Sequence, residues 1–384
     1  MNNKELFFKQ KIATILETTP EHIFLYWKGR VGLYALLKAM NIQEGDEVIV
    51  PAFTCVVVAN AIKYLNAKPI YVDIDCQHFN AEFEEIKKKI SPKTKVIICQ
   101  NTFGLSVDVE KIADFAKEHH LYSIEDCTHG FGGFYNGQPN GSYCDAAFYS
   151  TQWNKPFSTG IGGFVMTTHP LLIAALSAQS SEMVTPSWKD NLSLKLQYFA
   201  KEYLMGSYFY WTLLKLYRWL SKNNLVQGSS SGIELIGTEK PARFFKKMSK
   251  TQISKGIKTI DQLPALMVLR KKNATIYTQY LQEHHKQYVP QSWQLNHSFL
   301  LYPLLVKDRE KVLAIAKKEH ILIGEWFSSP LHPIIGDLKP WDLELQDFPN
   351  ATHIASHILN LPTDERDCAP ILAFLDHIEA EVLE

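Results

Sequence analysis

Lys155 is the residue whose position first indicates covalent chemistry. It lies in the segment FYSTQWNKPFSTGIGGFVMT, beyond a strand-like run that ends near Ser150, and Gly160, Gly162 and Gly163 follow it. Glycines allow a tight turn and a close approach of backbone to a ligand. A lysine near the end of a buried strand is partly desolvated, which lowers its pKa and makes its amine a nucleophile. Most lysines beside glycines lie in surface loops, so Lys155 alone establishes no function.

Asp126 is a candidate acid for the same site. It ends the apolar run LYSIED, so we expect its carboxylate at the carboxyl end of a strand, where open α/β sheets form their sites. A carboxylate in that position can hold a ring nitrogen of a bound cofactor in its protonated form. The alternative interpretation is a helix N-cap for the segment that follows.

A basic helix start offers a site for an anion. Lys28, Gly29 and Arg30 precede the helical run VGLYALLKAM, and the first turn of a helix presents N–H groups and a positive dipole end to a phosphate. Ser150 can add a hydroxyl donor. An ordinary glycine at a helix start explains this pattern alone. The combination with a strand-terminal acid and with Lys155 favours a phosphate-bearing cofactor.

The order of elements brings these residues together. Between Ile42 and Thr167, short apolar runs alternate with helical patterns. The runs are Glu47–Val50, Pro69–Val72, Lys95–Cys99, Leu121–Glu125 and Ala146–Tyr149, and the helical patterns include Val56–Leu65, Asn80–Ile90 and Val109–His119. This alternation predicts a mostly parallel sheet covered by helices on both faces.

The C-terminal part follows a different pattern. From about Lys246 a long helical pattern is followed by further strand-like runs and helices. The runs are Phe299–Val306 and His320–Ile323, and the helices are Arg309–Lys318 and Pro370–Val382. We therefore predict a large domain over residues 1–245 and a smaller α+β domain over residues 246–384.

Composition narrows the class of protein. Lys+Arg and Asp+Glu both count 40, so the formal net charge is zero and no general field attracts nucleic acid. The N-terminus has no signal-peptide pattern, and no apolar stretch is long enough to span a bilayer. The six Cys residues form no CxxC pair, so we expect reduced thiols, no zinc site and a cytoplasmic location.

Longer segments resemble the DegT/DnrJ/StrS family of sugar aminotransferases. These segments are NIQEGDEVIVPAFTCVVVANAIKYLNAKPIYVDID, SPKTKVIICQNTFGLSVDVEKIADFAKEHHLYSIEDCTHGFGG, FYSTQWNKPFSTGIGG, GEWFSSPLHP and ILNLPT. The resemblance is good over residues 25–168 and moderate over residues 244–384. It implies an α/β protein of pyridoxal phosphate (PLP) fold type I, with a mostly parallel seven-stranded sheet between helices and a smaller C-terminal α+β domain. It also implies a homodimer.

The resemblance assigns roles to matching residues. Lys155 matches the lysine that forms a Schiff base with PLP, and Asp126 matches the partner of the pyridine nitrogen. His129 matches a Gln or His near the phenolic oxygen of the cofactor. Matches to the phosphate site are Gly29, Arg30 and Ser150.

Several positions depart from the family pattern on the cofactor side. Cys55 stands where many members stack an aromatic ring on the cofactor, and Arg30 stands where Ser or Thr is usual. The guanidinium can hold the phosphate or point elsewhere. The family's Asn-x-Arg-Met segment, whose Asn often reaches the neighbouring subunit's cofactor, reads Phe245-Lys246-Lys247-Met248 here.

Other departures concern the substrate. Trp326-Phe327 replaces a His-Tyr pair, while His332 retains the final His of the Pro-Leu-His motif, so we expect substrate contacts from these three residues. Residues 187–240 form an aromatic insert that is not typical of the family. It can be a helical hairpin packed on its own subunit or across the dimer, an amphipathic surface for a membrane or a lipid-carrying substrate, or a lid.

The resemblance implies transamination in two steps. An amino acid donor, in this family usually glutamate or glutamine, gives its amine to the cofactor, and a nucleotide-linked keto sugar then takes it. Such a reaction would serve cell-surface polysaccharide or amino-sugar biosynthesis. The alternatives are a non-catalytic regulatory or scaffold protein with the same fold, and a different PLP reaction such as sugar dehydration, for which family members replace the lysine with His.

Overall fold

A computed structural model describes residues 3–204, 232–290 and 297–384. The strands are β1 (Ile23–Tyr26), β2 (Glu47–Pro51), β3 (Thr54–Cys55), β4 (Lys68–Val72), β5 (Thr94–Gln100), β6 (Tyr122–Asp126), β7 (Phe134–Tyr135), β8 (Gln138–Pro139), β9 (Ala146–Gln152), β10 (Ile161–Met166), β11 (Leu301–Leu305), β12 (Leu331–His332) and β13 (Ile358–Pro362).

The helices of the described residues surround these strands. They are α1 (Asn3–Ile15), α2 (Gly29–Ala39), α3 (Val56–Lys63), α4 (Phe83–Lys89), α5 (Val109–Glu118), α6 (Pro170–Gln179), α7 (Trp188–Phe199), α8 (Gly232–Ile236), α9 (Lys250–Thr259), α10 (Leu263–Glu283), α11 (Arg309–Lys318), α12 (Pro349–His357) and α13 (Ala369–Ile378). Across the described ranges, none of these helices has the length and apolar character needed to cross a membrane.

A seven-stranded sheet forms the centre, in the order β1-β10-β9-β6-β5-β2-β4. Strands β9, β6, β5, β2 and β4 pair in parallel, and β10 runs antiparallel to both β1 and β9. The mostly parallel seven-stranded sheet is confirmed. The five strand runs and the three helical patterns between Ile42 and Thr167 are also found, with ends shifted by up to three residues.

Alternating side chains of the sheet enter two different cores. In β2, Val48 and Val50 belong to the core shared with α2 and α3, whereas Ile49 belongs to the core shared with α4 and α5. A strand buried on both faces needs apolar residues at every position, which is why EVIVP has no polar alternation. Parallel strands with helices on both faces leave their carboxyl ends as the open edge for a site.

The C-terminal region contains the antiparallel pair β11–β13 with α11 and α13. The prediction of a strand over His320–Ile323 is wrong. His320 takes a left-handed conformation at the end of α11, with φ of 60°, and the Ile321 N–H donates to the Ala316 carbonyl at 2.8 Å. These residues therefore cap the helix, and Gly324 makes an isolated bridge to Asn360. The division of the chain at residue 245 stays a prediction.

Residues at both ends of the aromatic insert are described. Helix α7 begins with a capping box formed by Ser187 and Asp190. Its Leu194 is buried against Trp27 and Ile161, so the start of the insert packs on its own subunit. The hairpin that the sequence favours falls largely on residues 205–231 and lies outside the described residues.

Candidate active site

One cleft at the carboxyl ends of the central strands is lined by every predicted site residue. These residues are Gly29, Arg30, Cys55, Asp126, His129, Ser150, Lys155, Trp326, Phe327 and His332. They come from distant parts of the chain, so the fold brings them together as the strand order predicts. The role of each residue in this cleft stays a prediction.

Asp126 is a buried carboxylate that accepts hydrogen bonds from the backbone and the side chain of Thr128. Its side chain is 3% exposed at the end of β6, where it pairs in register with Gln100 of β5. Its Oδ1 accepts from the Thr128 N–H at 2.9 Å, but a turn and not a helix follows, so the interpretation of Asp126 as a helix N-cap is wrong. Burial raises the pKa of Asp126 to about 6, although the Thr128 hydrogen bond and the Lys155 charge act in the opposite direction. A cationic ligand beside this buried carboxylate would stabilise its ionised form.

Lys155 follows β9 in a tight turn. Its N–H donates to the Gln152 carbonyl at 3.1 Å, and its Nζ lies 4.5 Å from the centre of the Trp326 ring. Burial lowers the pKa of the Lys155 ammonium to about 8, despite the opposing effects of Cys55 and Asp126. About a tenth of such a lysine is the free amine at pH 7, which makes it available as a nucleophile.

His129 is fixed as a neutral donor. Its Nδ1 accepts a hydrogen bond from the Phe103 N–H at 3.1 Å, so the proton of the neutral ring is assigned to Nε2. Burial lowers the pKa of His129 well below its usual value, and the Lys155 charge lowers it further. The ring stacks on Trp326 with centroids 5.1 Å apart and planes 12° apart. His129 can therefore donate from Nε2 to an oxygen in the cleft.

The start of α2 lies directly against the sheet. A Cβ built on Gly163 would be 2.3 Å from both the N and Cα atoms of Gly29, and a Cβ on Gly29 would be 3.0 Å from the Tyr149 carbonyl oxygen. Gly163 is thus required for this close approach, and at Gly29 a side chain would have a tight contact with the strand. Gly163 also pairs in register with Ser150, so the N-terminal turn of α2 and the Ser150 hydroxyl face the same part of the cleft.

Arg30 is paired with a residue that sequence reasoning did not identify. Its Nη1 lies 2.6 Å from Oε1 of Glu234, and both side chains are buried. Glu234 lies in α8, at the far end of the aromatic insert, and its carbonyl accepts from Asn60 at 2.8 Å. The sequence left open whether the guanidinium holds the phosphate or points elsewhere. In the structure it pairs with the Glu234 carboxylate, although Arg30 still lines the cleft. No local sequence signal connects two residues 204 positions apart.

The C-terminal region closes the cleft through a short parallel pair. Strands β3 and β12 place His332 in register with Cys55. Burial raises the pKa of the Cys55 thiol, which favours its protonated form. Phe327 packs on Phe53 and Phe103, with centroids 5.2 and 5.8 Å away, so it supports the wall of the cleft. Trp326 instead faces the ammonium of Lys155.

The segment that departs from the family's Asn-x-Arg-Met pattern packs within the subunit. Lys246 is 8% exposed, and its Nζ lies 3.2 Å from Oδ2 of Asp190 in α7. Its carbonyl accepts from the Trp27 N–H at 3.0 Å. The Lys246 side chain therefore binds the start of the aromatic insert in its own subunit.

Polar residues at the ends of two strands also line the cleft but were missed. Gln100, the last residue of β5, accepts from the Thr54 hydroxyl at 2.6 Å and donates to the Phe53 carbonyl at 3.1 Å. Gln152 is the last residue of β9. The signal was present, since each is a polar residue that ends an apolar strand, as Asp126 does.

The fold is that of PLP enzymes of type I, as its similarity to solved structures shows. One of these is a DegT DnrJ EryC1 StrS aminotransferase from Brucella abortus, with a TM-score of 0.75 and 18% identity, over 99% of this chain and 91% of that one. The chain belongs to the DegT/DnrJ/EryC1/StrS aminotransferase family, whose model matches residues 4–197 and 230–366. Members of this family are PLP-dependent.

Curated relatives are similar over part of their length. A GDP-perosamine synthase from Escherichia coli O157:H7 is 42% identical over 144 residues, which are 38% of this chain and 40% of the relative. A UDP-N-acetyl-3-dehydro-alpha-D-glucosamine 3-aminotransferase from Acidithiobacillus ferrooxidans is 39% identical over 140 residues, 36% of this chain and 38% of the relative. The chain thus spans less than half the length of these two relatives in the alignments.

Proposed function

We propose that this protein is a PLP-dependent aminotransferase that moves an amino group from an amino acid donor to a nucleotide-linked keto sugar. The observation that carries the proposal is the single cleft shared by Lys155, Asp126 and the start of α2 in a member of this family. The cleft combines a nucleophilic amine, a buried acid and a place for a phosphate.

The residues fit the cofactor at three separate points. The α2 start and Ser150 would hold its phosphate, because helix N-termini bind anions and the close contact of Gly29 with Gly163 leaves no side chain in the way. Asp126 would hold the ring nitrogen, and its burial without a cation is costly by itself. His129 would donate from Nε2 to the phenolic oxygen. When bound, PLP supplies an electron-withdrawing ring that stabilises negative charge on an adjacent carbon.

Lys155 has two tasks in the proposed reaction. Its amine holds the cofactor covalently while no substrate is present. With its amine free, Lys155 would also move the proton at the substrate α-carbon, as a base and then as an acid. Its lowered pKa of about 8 suits both directions, because both protonation states are populated near neutral pH. Asp126, ionised above pH 6, keeps the proton on the ring nitrogen.

The acceptor proposal rests on the substrate side of the cleft and on the relatives. Trp326 presents an aromatic ring beside Lys155, and such a ring can pack against the C–H face of a sugar. The two relatives carry names that specify GDP-linked and UDP-linked sugars. From these names we propose that the acceptor is a nucleotide-linked keto sugar. We also propose that glutamate is the donor and that the product serves amino-sugar or cell-surface polysaccharide synthesis. A homodimer is part of the same proposal.

A spectroscopic experiment tests the function. Purified protein mixed with PLP should show the visible absorbance of the lysine-bound cofactor, and glutamate should remove it. Keto sugars linked to GDP, UDP or dTDP are then offered to the aminated form, and the right acceptor should restore the absorbance. A Lys155→Ala protein should bind PLP without covalent attachment.

The outcomes separate the proposed function from its alternatives. Absence of the absorbance, even with excess PLP, would favour a regulatory or scaffold protein. Covalent attachment of PLP to Lys155→Ala would refute the assignment of the lysine. Loss of water from a sugar substrate, without transfer of nitrogen, would favour the dehydration reaction instead.

A further inference from the structure

Helix α7 exposes large apolar side chains on its outer face. The exposed fractions lie between 47% and 71% for Trp188, Leu192, Leu196, Phe199 and Tyr203, the last of which lies in the turn after the helix. At about 100° per residue, the four that belong to α7 fall within an arc of about 80°. We call these five residues the α7 stripe.

The α7 stripe faces away from the protein. The opposite side of the helix is buried through Asp190, Leu194 and Gln197. Asp190 is held by Lys246 and by the capping box, so the orientation of the helix is fixed. A surface helix of a globular protein normally turns its polar face outward. Here the outward face is apolar, and a contiguous patch of this kind marks an interaction surface.

Lysines lie beside the α7 stripe. Lys189 and Lys195 are exposed and border it on its two sides. Between α7 and α9, a shallow depression of about 340 Å³ is lined by lysines together with Tyr198, Thr251 and Ser254. We call the lysines of this site, Lys195, Lys250, Lys255 and Lys258, the lysine depression. Glu202 lies 3.6 Å from Lys255 at its edge, and the residues that line the depression include four lysines and no carboxylate.

The sequence that continues from α7 has the same charge. Residues 205–231 contain Lys215, Arg218 and Lys222 and no Asp or Glu. They also contain Trp211 and Trp219. Aromatic and basic residues together are the composition of segments that bind at the surface of an anionic bilayer. The neutral net charge of the whole chain therefore conceals a local excess of positive charge.

We propose that the α7 stripe and the lysine depression bind this protein to the surface of an anionic lipid bilayer. The apolar side chains would enter the headgroup region, and the lysines would pair with lipid phosphates. Charge selects this partner over a second copy of the chain. A two-fold contact through the stripe would bring the lysines of both copies together, and like charges oppose each other.

The proposal is independent of the proposed transamination, because the test requires no cofactor or substrate. The full-length protein is mixed with vesicles of phosphatidylcholine alone or of phosphatidylcholine with phosphatidylglycerol, and the bound fraction is measured by flotation. We expect binding to the anionic vesicles that weakens as salt is raised. Equal binding to both kinds of vesicle, or binding to neither, would overturn the proposal.

Substitutions in the α7 stripe provide the first control. The combined variant Leu192→Gln, Leu196→Gln and Phe199→Gln keeps good helix formers at exposed positions, so it should fold normally. It should bind anionic vesicles on the order of tenfold more weakly. The matched control carries Leu171→Gln, Val268→Gln and Ile335→Gln, which replace residues exposed by 71%, 71% and 84% elsewhere, and it should bind as the parent does. Equal loss in both variants contradicts the proposal.

Charge reversal provides the second control. Lys250→Glu and Lys258→Glu should each weaken binding by roughly thirtyfold, since each reversal changes the charge by two units and one unit near an anionic surface contributes about fivefold. Lys317→Glu and Lys318→Glu, on the exposed end of α11, should have no such effect. Light scattering of the parent protein and of the α7 stripe variant measures whether the stripe is an interface between copies. If the parent protein ignores vesicles and the variant changes from dimer to monomer, the surface is an interface between copies and the membrane proposal is wrong.

Discussion

At the scale of single residues, Asp126 serves two demands that oppose each other. Its buried carboxylate suits a cationic ring nitrogen, but it is costly to the folded protein before the cofactor binds. Active sites often lower stability in this way, because their groups are arranged for a ligand rather than for the empty protein. Asp126 therefore offers a direct measure of how strongly the cleft is arranged for a cation.

Replacement of Asp126 by Asn should stabilise the protein without PLP. Folding raises the pKa of this carboxyl from 3.8 to about 6, so the cost of ionising it grows between these pH values and is complete above pH 6. Asp126→Asn removes the cost and keeps an acceptor for Thr128. We expect a gain of about 3 kcal/mol in the free energy of unfolding at pH 7 and none near pH 4.

Chemical denaturation at the two pH values measures this difference. The same variant should lose most of its transamination, because an amide does not hold the ring nitrogen protonated. A loss of stability at pH 7 would contradict the raised pKa of this buried carboxyl.

The pKa of Lys155 predicts how PLP attachment depends on pH. Only the free amine attacks PLP, so the attachment rate should rise as pH increases toward about 8 and level off above it. Stopped-flow absorbance from pH 6 to pH 9.5 measures this rate, with Lys155→Ala as the blank. A rate that still rises steeply above pH 9.5 would indicate an ordinary exposed lysine.

The Arg30–Glu234 pair predicts a compensated double variant. Each charge is buried, so Arg30→Ser or Glu234→Gln alone should lower the free energy of unfolding by about 3–5 kcal/mol. The double variant should lower the free energy of unfolding by much less than the sum of the two single losses, because it leaves no buried charge without a partner. Denaturation curves of the four proteins complete the cycle, and strictly additive losses would refute the coupling.

At the scale of secondary structure, the contact between α2 and β10 determines the position of the phosphate site. Gly163→Ala would place a methyl group 2.3 Å from the backbone of Gly29, so α2 or the strand has to move. We expect at least about tenfold weaker PLP binding, measured by fluorescence titration. Gly237→Ala is the control, since its added Cβ meets nothing within 4 Å. Equal affinity in both variants would show that the contact is not needed.

Elements with a strong local pattern were predictable from the sequence. The runs that became β2 and β5 have continuous apolar centres, and a strand that ends in a polar residue marked the cleft at Asp126. The four-residue strand β1 was missed because IFLY is too short to show a period. His320–Ile323 has the composition of a strand, but the preceding helix uses the same residues for its cap. The strand propensity of these residues does not show that the end of the helix needs them for its hydrogen bonds.

Long-range pairs were beyond prediction for a related reason. Lys155, Asp126 and Gly29 each carry a local signature of their role, so their meeting in one cleft could be inferred from strand order. Glu234 has no such signature, and its carboxylate is explained only by Arg30 in the folded chain. The same holds for Lys246 and Asp190, whose pairing depends on how the aromatic insert begins.

At the scale of the whole molecule, the C-terminal region is joined to the central sheet by a buried network. Trp341 is 1% exposed, and its indole N–H donates to Asn60 of α3 at 2.7 Å. Its carbonyl accepts from the Tyr71 hydroxyl of β4 at 3.0 Å. These contacts connect residues more than 260 positions apart, so they join the C-terminal region to both β4 and α3.

Trp341→Phe tests this connection. The change keeps an aromatic ring but removes the donor to Asn60, which should lower the free energy of unfolding by about 1–3 kcal/mol. The unfolding transition should stay single, and the β3–β12 contact beside Cys55 should loosen. Thermal unfolding followed by both fluorescence and circular dichroism measures this. Two separate transitions in the parent protein would show that the regions unfold independently.

The Arg30–Glu234 pair also constrains how this chain can change over evolutionary time. Glu234 lies just after the long excursion that begins at α7, whereas Arg30 opens the second helix. A descendant or an engineered protein that deletes the excursion through residue 234 loses the carboxylate and keeps the guanidinium in the cleft. We therefore expect such a truncation to keep its stability only when Arg30 is also replaced by a small neutral residue, so the inserted segment and a residue of the cleft have to be changed together.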